Sequence, residues 1–323
     1  MKSFGIGETD VQLTSAATGA GSTVGWARSL PWWLKLYGKL ALSWIPNKQT
    51  FFRGLGLYRW GTMLNPDNAL RWYLDHVETM AIPHLAAATN LTLLELGPGD
   101  SVATALIAAC RGQRNTILVD SGHQADFVRS HYDALIEKLS QLHPGKPVLQ
   151  QMRAAATVKD LLESCKALYL TNGLASLKNI ASASVDVVFS AAVMEHVYLP
   201  EVSPILAEFF RVLRPGGVMV HTIDFRDHLG ESLNSLRFPE WVWESGPFRS
   251  RGFYTNRLGA DSFCQAIETA GFLAISRQDD RWDVLPIAPG KLHHRFRGRP
   301  DLNVWCSRFI HRKAIPEGAH GPS

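Results

Sequence analysis

Short apolar runs alternate with longer amphipathic stretches from about residue 91 to residue 224. The runs near 91–96, 116–120, 167–171, 185–190 and 217–224 predict strands. The stretches near 101–111, 124–140, 155–165 and 201–213 predict helices. Such alternation implies an α/β domain, a parallel sheet with helices on both faces. Ligands in these sheets bind outside the carboxyl ends of the strands. Beyond this stretch, a helix is expected near 260–270, ended by Gly271, and strands near 273–279 and 303–312 complete the sheet. Residues 225–259 carry Phe238, Trp241, Trp243, Phe248, Phe253 and Tyr254 among glycines and arginines. A segment so rich in aromatics predicts an ordered, inserted lid rather than free loop.

The N-terminal part reads differently. Residues 1–25 are rich in Gly, Ser, Thr and Ala, which predicts poor order. Residues 30–46 look helical between two prolines. At about 100° per residue, Trp33, Leu36, Tyr37, Leu40 and Trp44 share one face, and Lys35 and Lys39 lie opposite. That helix either packs over the core as a cover or lies on a membrane surface with its Trp residues at headgroup level. A second helix, about Asn68 to Met80, follows an Asn-Pro-Asp start signal. The division expected is 1–85, an N-terminal segment with a helical cover, and 86–323, the α/β domain with its lid at 225–259.

The most informative chemistry lies at Leu93-Leu94-Glu95-Leu96-Gly97-Pro98-Gly99-Asp100-Ser101. An apolar run ends beside an acid, two glycines follow, and a helix begins. Glycine permits a tight strand-to-helix turn and close approach of a ligand to the backbone. The helix start offers unpaired N–H groups. Glu95 would repel a pyrophosphate and suits a cationic group. The sequence Gly97-Pro98-Gly99-Asp100-Ser101-Val102 also fails the dinucleotide G-x-G-x-x-G pattern at its last position. A second run, Thr116-Ile117-Leu118-Val119-Asp120, ends in a carboxylate twenty-three residues past Gly97. That is close to the roughly 20-residue offset at which an acid meets a ribose diol. Val185 to Ser190 is followed by Ala191-Ala192-Val193-Met194-Glu195-His196-Val197, and Arg211-Val212-Leu213-Arg214-Pro215-Gly216-Gly217 turns a helix into the fifth strand.

This ordered set resembles the class I S-adenosylmethionine-dependent methyltransferases, of the methyltransferase type 11 kind, over roughly residues 91–224. The resemblance implies a Rossmann-like, seven-stranded sheet whose last two strands form an antiparallel edge hairpin. It implies S-adenosyl-L-methionine as cofactor. Glu95, Gly97 and Gly99 would surround its methionine part, with Ser190 and Ala191 beneath, and Asp120 would meet the ribose. Asn172, Gly173 and Leu174 would meet the adenine. Ser101 stands where the family often has a third glycine. Phrases at 31–36, 224–228, 233–238 and 252–257 further resemble bacterial methyltransferases of polysaccharide gene clusters.

Composition narrows the setting. A hydrophobic content of 46% with 19% charged residues describes a globular chain. A formal net charge of +4 is too mild to imply nucleic acid. The four cysteines, Cys110, Cys165, Cys264 and Cys306, form no C-x-x-C pattern, which points to reduced thiols and a cytoplasmic setting. Residues 1–25 lack signal-peptide features, and no apolar run is long enough to span a bilayer. The basic stretch from Lys291 to Arg299 reads as a solvated loop, with phosphate binding the sharper alternative.

Methyl transfer from a sulfonium needs alignment and exclusion of water, and for a hydroxyl acceptor a base. The candidates are His196, Asp224 and His228. The plain alternatives are a turn-stabilising role for His196 and an ion pair with Arg226 for Asp224 and His228. His221, Asp224 and His228 could bind a metal, but their spacing matches no metal signature and none is assigned. Arg237, Trp241, Tyr254, Asn256 and Arg257 are candidate acceptor contacts, against the alternative that the aromatics are simply the lid's own core. The expected activity is methylation of an oxygen of a sugar or glycan precursor. The alternatives are O- or N-methylation of a small secondary metabolite, or a non-catalytic membrane-surface protein.

Overall fold

The computed structural model describes residues 31–42, 62–249 and 252–316. Seven strands form one sheet: β1 Thr92–Leu96, β2 Asn115–Val119, β3 Ala167–Leu170, β4 Val185–Ala191, β5 Leu213–Asp224, β6 Phe272–Arg281 and β7 Val304–Lys313. Their order is β3-β2-β1-β4-β5-β7-β6. The first five pair in parallel, and β7 inserts antiparallel between β5 and β6. The order reverses between β1 and β4, and this places a crevice at their carboxyl ends. The fold is the Rossmann-like methyltransferase sheet that the sequence predicts, edge hairpin included.

Leu93, Leu94, Val187, Val188, Val218 and Met219 are completely buried, as strands covered on both faces require. One face is covered by α3 Ala103–Cys110, α4 Asp133–Leu142, α5 Pro147–Ala154 and α6 Val158–Ser164. The other is covered by α7 Gly173–Lys178, α8 Leu199–Val212 and α11 Ala260–Thr269. Three details differ from expectation, the first being α7, which begins within the loop expected at 172–174. The single helix predicted near 155–165 is preceded by a separate one, α5, started by Pro147 at its first turn. The helix expected from 124 begins only after a 3₁₀ turn at Arg129–Tyr132.

The second N-terminal helix is present as α2 Pro66–Tyr73, capped by the Asn65 side chain, which accepts from Asp67 and Asn68 N–H. It continues as a π-helix over Leu74–Ala81. Ala69, Leu70, Tyr73, Val77 and Ala81 join the same core cluster as β1 and α3. His76 bridges this segment to the sheet, between the Trp72 carbonyl at 2.9 Å and Thr222 Oγ1 at 2.9 Å.

The helix α1 Trp32–Leu42 packs on the lid, but not through the predicted face. Leu36 is buried, with Trp32 and Leu40 half-buried against lid residues Trp243, Phe253 and Tyr254, whereas Trp33 and Tyr37 are exposed. The seam is therefore rotated toward Trp32. Trp44 and residues 1–25 lie outside the described residues, as does the side chain of Lys39. No described helix is long and apolar enough to cross a membrane. The lid holds a 3₁₀ turn at Asn234–Arg237 and two short helices, α9 Glu240–Trp243 and α10 Gly246–Arg249.

Candidate active site

The crevice is built first from the bend after β1. Gly97 has φ 71° and Gly99 φ 69°, conformations that disfavour other residues. A Cβ on Gly97 would lie 2.4 Å from Val193 Cγ2, so this glycine is also required by packing. A Cβ on Gly99 would meet nothing within 4 Å, so there glycine keeps the crevice wall open. Ser101 Oγ accepts from the Ala103 N–H at 3.0 Å, so the residue that replaces a third glycine steadies the start of α3. Asp100 accepts from the N–H groups of Thr62 and Met63, tying the bend to the segment before α2.

Two buried carboxyls face this bend from adjacent strands. Glu95 is 2% exposed, and its Oε2 has no hydrogen-bond partner among the described residues. Burial pushes its pKa up to about 7, with the Asp120 charge adding to the rise and a Thr104 hydrogen bond opposing it. Asp120 follows β2. Burial raises its pKa as well, while the N–H groups of Ser121, Gly122 and Gly99 pull it back. Its backbone carbonyl accepts from Gly173 N–H at 2.8 Å, which brings the loop after β3 alongside. Asn172 caps no N–H with its side chain at the start of α7, and Leu174 packs against the second core cluster. Beside Asp120, the rings of His123, Phe127 and Tyr169 cluster, with centroids 4.5–5.8 Å apart. The Tyr169 hydroxyl accepts from the Gln124 and Ala125 N–H groups.

The strand β4 ends on the other side of the crevice. Ser190 does not face it. Its hydroxyl is buried and bonded to His221 Nδ1 at 2.7 Å, on the α8 side of the sheet. Burial drives the His221 pKa down to about 3, so the ring is neutral. This placement also removes His221 from any group with Asp224 and His228. Ala191 ends the strand, and Ala192 turns the chain with φ 54°.

The next residues lead to the lid. His196 Nδ1 lies 2.7 Å from the Tyr254 carbonyl, and its Nε2 lies 3.1 Å from His228 Nε2. A carbonyl only accepts, so Nδ1 of His196 carries a proton. In the neutral ring the Nε2 lone pair would face His228 Nε2. Asp224 is engaged otherwise: both its oxygens accept from the Arg226 guanidinium, at 2.7–3.2 Å.

Sequence reasoning passed over Glu195, which is 3% exposed, its Oε2 without a partner among the described residues. Burial raises its pKa well above the carboxylate range, and the Asp224 charge adds to this. The available signal was an acid placed directly after Val193-Met194, in a segment about to be buried. Glu195 lines a cavity of about 20 Å³ beneath the lid, with Asp224, Ser235, Asn256, Arg257 and Asp301. That is room for about one water.

The candidate acceptor contacts serve mainly the lid itself. Asn256 donates through Nδ2 to the carbonyls of Met194 and Val197, at 2.8 and 3.1 Å, and through its backbone N–H to Glu195 O at 2.8 Å. It is a clasp that holds the lid to the loop after β4. The Tyr254 hydroxyl donates to Glu244. Arg257 is 8% exposed, donates to the Phe238 carbonyl and lies over the rings of Trp243 and Phe296. Arg237 bonds Asn234 and lies over Trp32. Trp241 alone among them is openly exposed, at 79%. The buried lid aromatics, Trp243 and Phe253 with Tyr254, form a core of their own.

Residues 119–221 match the methyltransferase-domain family. No curated protein matches the chain. Among solved structures, a S-adenosylmethionine-dependent methyltransferase from Methanosarcina mazei is similar at 17% identity and TM-score 0.42, over 72% of this chain and 97% of that one. A putative methyltransferase of Haloferax volcanii, in complex with the Trm112 activator, is similar at 13% and 0.41, over 80% and 96%. Phosphoethanolamine N-methyltransferase 2 of Haemonchus contortus, in complex with S-adenosyl-L-methionine, is similar at 15% and 0.43, over 76% and 52%.

Proposed function

We propose that this chain, a class I methyltransferase by its sheet order and its family match, binds S-adenosyl-L-methionine at the Gly97–Asp120 crevice and methylates an oxygen of a sugar or glycan precursor. The observation that carries the cofactor reading is Glu95 Oε2: a buried carboxylate oxygen without a partner, beside a glycine bend with an open wall. A buried acid left so is costly, and an ammonium group would satisfy it. Asp120, one strand away, suits a pair of ribose hydroxyls. Asn172 and the start of α7, with the aromatic trio of His123, Phe127 and Tyr169, would flank the adenine. The cofactor, when bound, supplies a methyl group on an activated leaving group.

The chain's own residues do the rest. His196 takes the acceptor's hydroxyl proton on Nε2. Its Nδ1–H, held by the Tyr254 carbonyl, fixes the tautomer that leaves this lone pair available. His228 lies against the same nitrogen and must give way, or pass its bond to the acceptor, as the acceptor enters. The lid, clasped by Asn256, excludes water from the transfer. The exposed ring of Trp241 on the lid and those of Trp33 and Tyr37 on α1 supply faces of the kind that stack on sugar C–H surfaces. Incubation with a panel of glycan, phenolic and amine acceptors, with S-adenosylhomocysteine release as readout, tests the reading. Turnover confined to glycan hydroxyls supports it, and turnover only on the other acceptors refutes the acceptor class.

A second reading has one observation in its favour. Trp33, Leu34 and Tyr37 are exposed together on α1, as a peripheral membrane contact requires. Vesicle sedimentation of the wild type against Trp33→Ala/Tyr37→Ala tests it, and equal sedimentation of both rejects it.

A further inference from the structure

Toward the antiparallel edge of the sheet, away from the crevice between β1 and β4, three side chains of different chemistry converge. Cys264 and Glu268 stand one turn apart on α11, and His311 points at them from β7. One ligand atom from each lies within 4.8 Å of the others, and Cys264 Sγ is 3.5 Å from Glu268 Oε1. His311 is 1% exposed, and neither of its ring nitrogens has a hydrogen-bond partner among the described residues. A buried imidazole with both nitrogens unsatisfied calls for an explanation, because buried polar groups are almost always paired. The neighbouring Phe309 ring offers none.

We propose that Cys264, Glu268 and His311 form a binding site for a zinc-class divalent metal ion, which clips α11 to β7. Thiolate, imidazole and carboxylate together are a zinc donor set. Tetrahedral coordination at the usual bond lengths separates ligand atoms by about 3.3–3.8 Å. The Cys264–Glu268 distance is already in that range, and the remaining separations close by small side-chain rotations. Glu268 is exposed and Cys264 half-exposed, so an entry path and a solvent-filled fourth position are both available.

The protonation state of His311 agrees with this geometry, whereas that of Cys264 has to change as a metal binds. Burial lowers the His311 pKa to about 4, which leaves the ring neutral, as a ligand must be. Burial and the Glu268 carboxylate raise that of the Cys264 thiol, while the nearby Arg277 guanidinium opposes them. The thiol proton must therefore leave as the metal arrives: the S–H bond breaks, the sulfur–metal bond forms and the proton goes to solvent. Cys306, which pairs with Asp224 at the crevice end, is five residues from His311 along β7. At about 3.3 Å per residue, the two residues are some 16 Å apart. The site is thus separate from the methyl-transfer chemistry.

The test uses the full-length chain, stripped with a chelator and titrated with Zn²⁺ against a chromophoric competitor, and with Co²⁺ followed by absorption. One saturable equivalent of zinc is expected, with a thiolate-to-cobalt charge-transfer band in the near ultraviolet. Zinc should raise the midpoint of thermal unfolding. Cys264→Ser should abolish the band and the thermal shift. Glu268→Gln should weaken zinc binding by more than about tenfold, since even changes behind a ligand cost about 10–100-fold. These two variants alter accessible side chains of α11, so loss of the fold does not confound them, whereas His311→Ala opens a cavity. Absence of saturable zinc binding in the wild type overturns the proposal. So does a cobalt band, or full zinc affinity, that survives Cys264→Ser.

Discussion

Glu95 is the residue whose protonation the proposed cofactor reads. Its pKa is raised to about 7 by burial, so near neutral pH the carboxyl is shared between charged and neutral forms. Only the carboxylate attracts an ammonium group. As pH falls through about 7, affinity for S-adenosylmethionine should drop, approaching tenfold per pH unit well below the pKa. Binding near neutral pH should also release protons. Calorimetry in buffers of different ionisation enthalpy, from about pH 6 to pH 8, measures both effects. Glu95→Gln should flatten the pH dependence; a profile identical to that of the wild type rejects the assignment. His196 carries a second expectation. His196→Ala should lower turnover by ~10²-fold or more while cofactor affinity holds. His228→Asn keeps a donor opposite Nε2 and should cost far less, and equal losses in both variants would point to a structural pair instead. The bend at Gly97 and Gly99, with Glu95 and Asp120 beside it, was legible in the sequence because glycines at the end of an apolar run mark such a turn. Ser190, Asn256 and Arg257 were not, because their partners, His221, Met194 and Phe238, lie far along the chain.

The strands and most of the covering helices followed from their periodicity; the edge hairpin was implied by the family resemblance, and the insertion of β7 between β5 and β6 is seen only in the structure. Periodicity was weaker where a seam is narrow. In α1, two adjacent tryptophans allow two faces. The lid chose Trp32, Leu36 and Leu40, because Phe238 and Trp243 present their rings there. The π-helix at Leu74–Ala81 has no sequence signature of its own, since its apolar spacing also fits an ordinary helix. The lid is the element with the sharpest energetic expectation. Trp243 is fully buried, its indole N–H donates to the Thr255 carbonyl at 2.7 Å, and it touches Phe238, Phe248 and Phe253. Trp243→Ala should destabilise by about 3–5 kcal/mol. Asn256→Ala strips two carbonyls of their donor and should cost ~1–3 kcal/mol. Denaturant unfolding measures both. If the lid unfolds apart from the sheet, the losses will instead appear as a separate early transition.

In the whole molecule, two parts of one sheet carry different chemistry. The carboxyl ends of β1, β2 and β4 hold the glycine bend, two buried acids and the His196–His228 pair. The antiparallel edge of the sheet, where α11 lies against β7, holds Cys264, Glu268 and His311. The lid joins the first of these to α1 through one aromatic cluster, so the N-terminal helix and the acceptor side are mechanically linked. The measurement that bears most directly on the central claim is calorimetry of the purified chain with S-adenosylhomocysteine, for the wild type and for Asp120→Ala. The account predicts one site in the wild type and a loss of ~1–3 kcal/mol in the variant. No binding to the wild type, or an affinity that Asp120→Ala leaves unchanged, would contradict it.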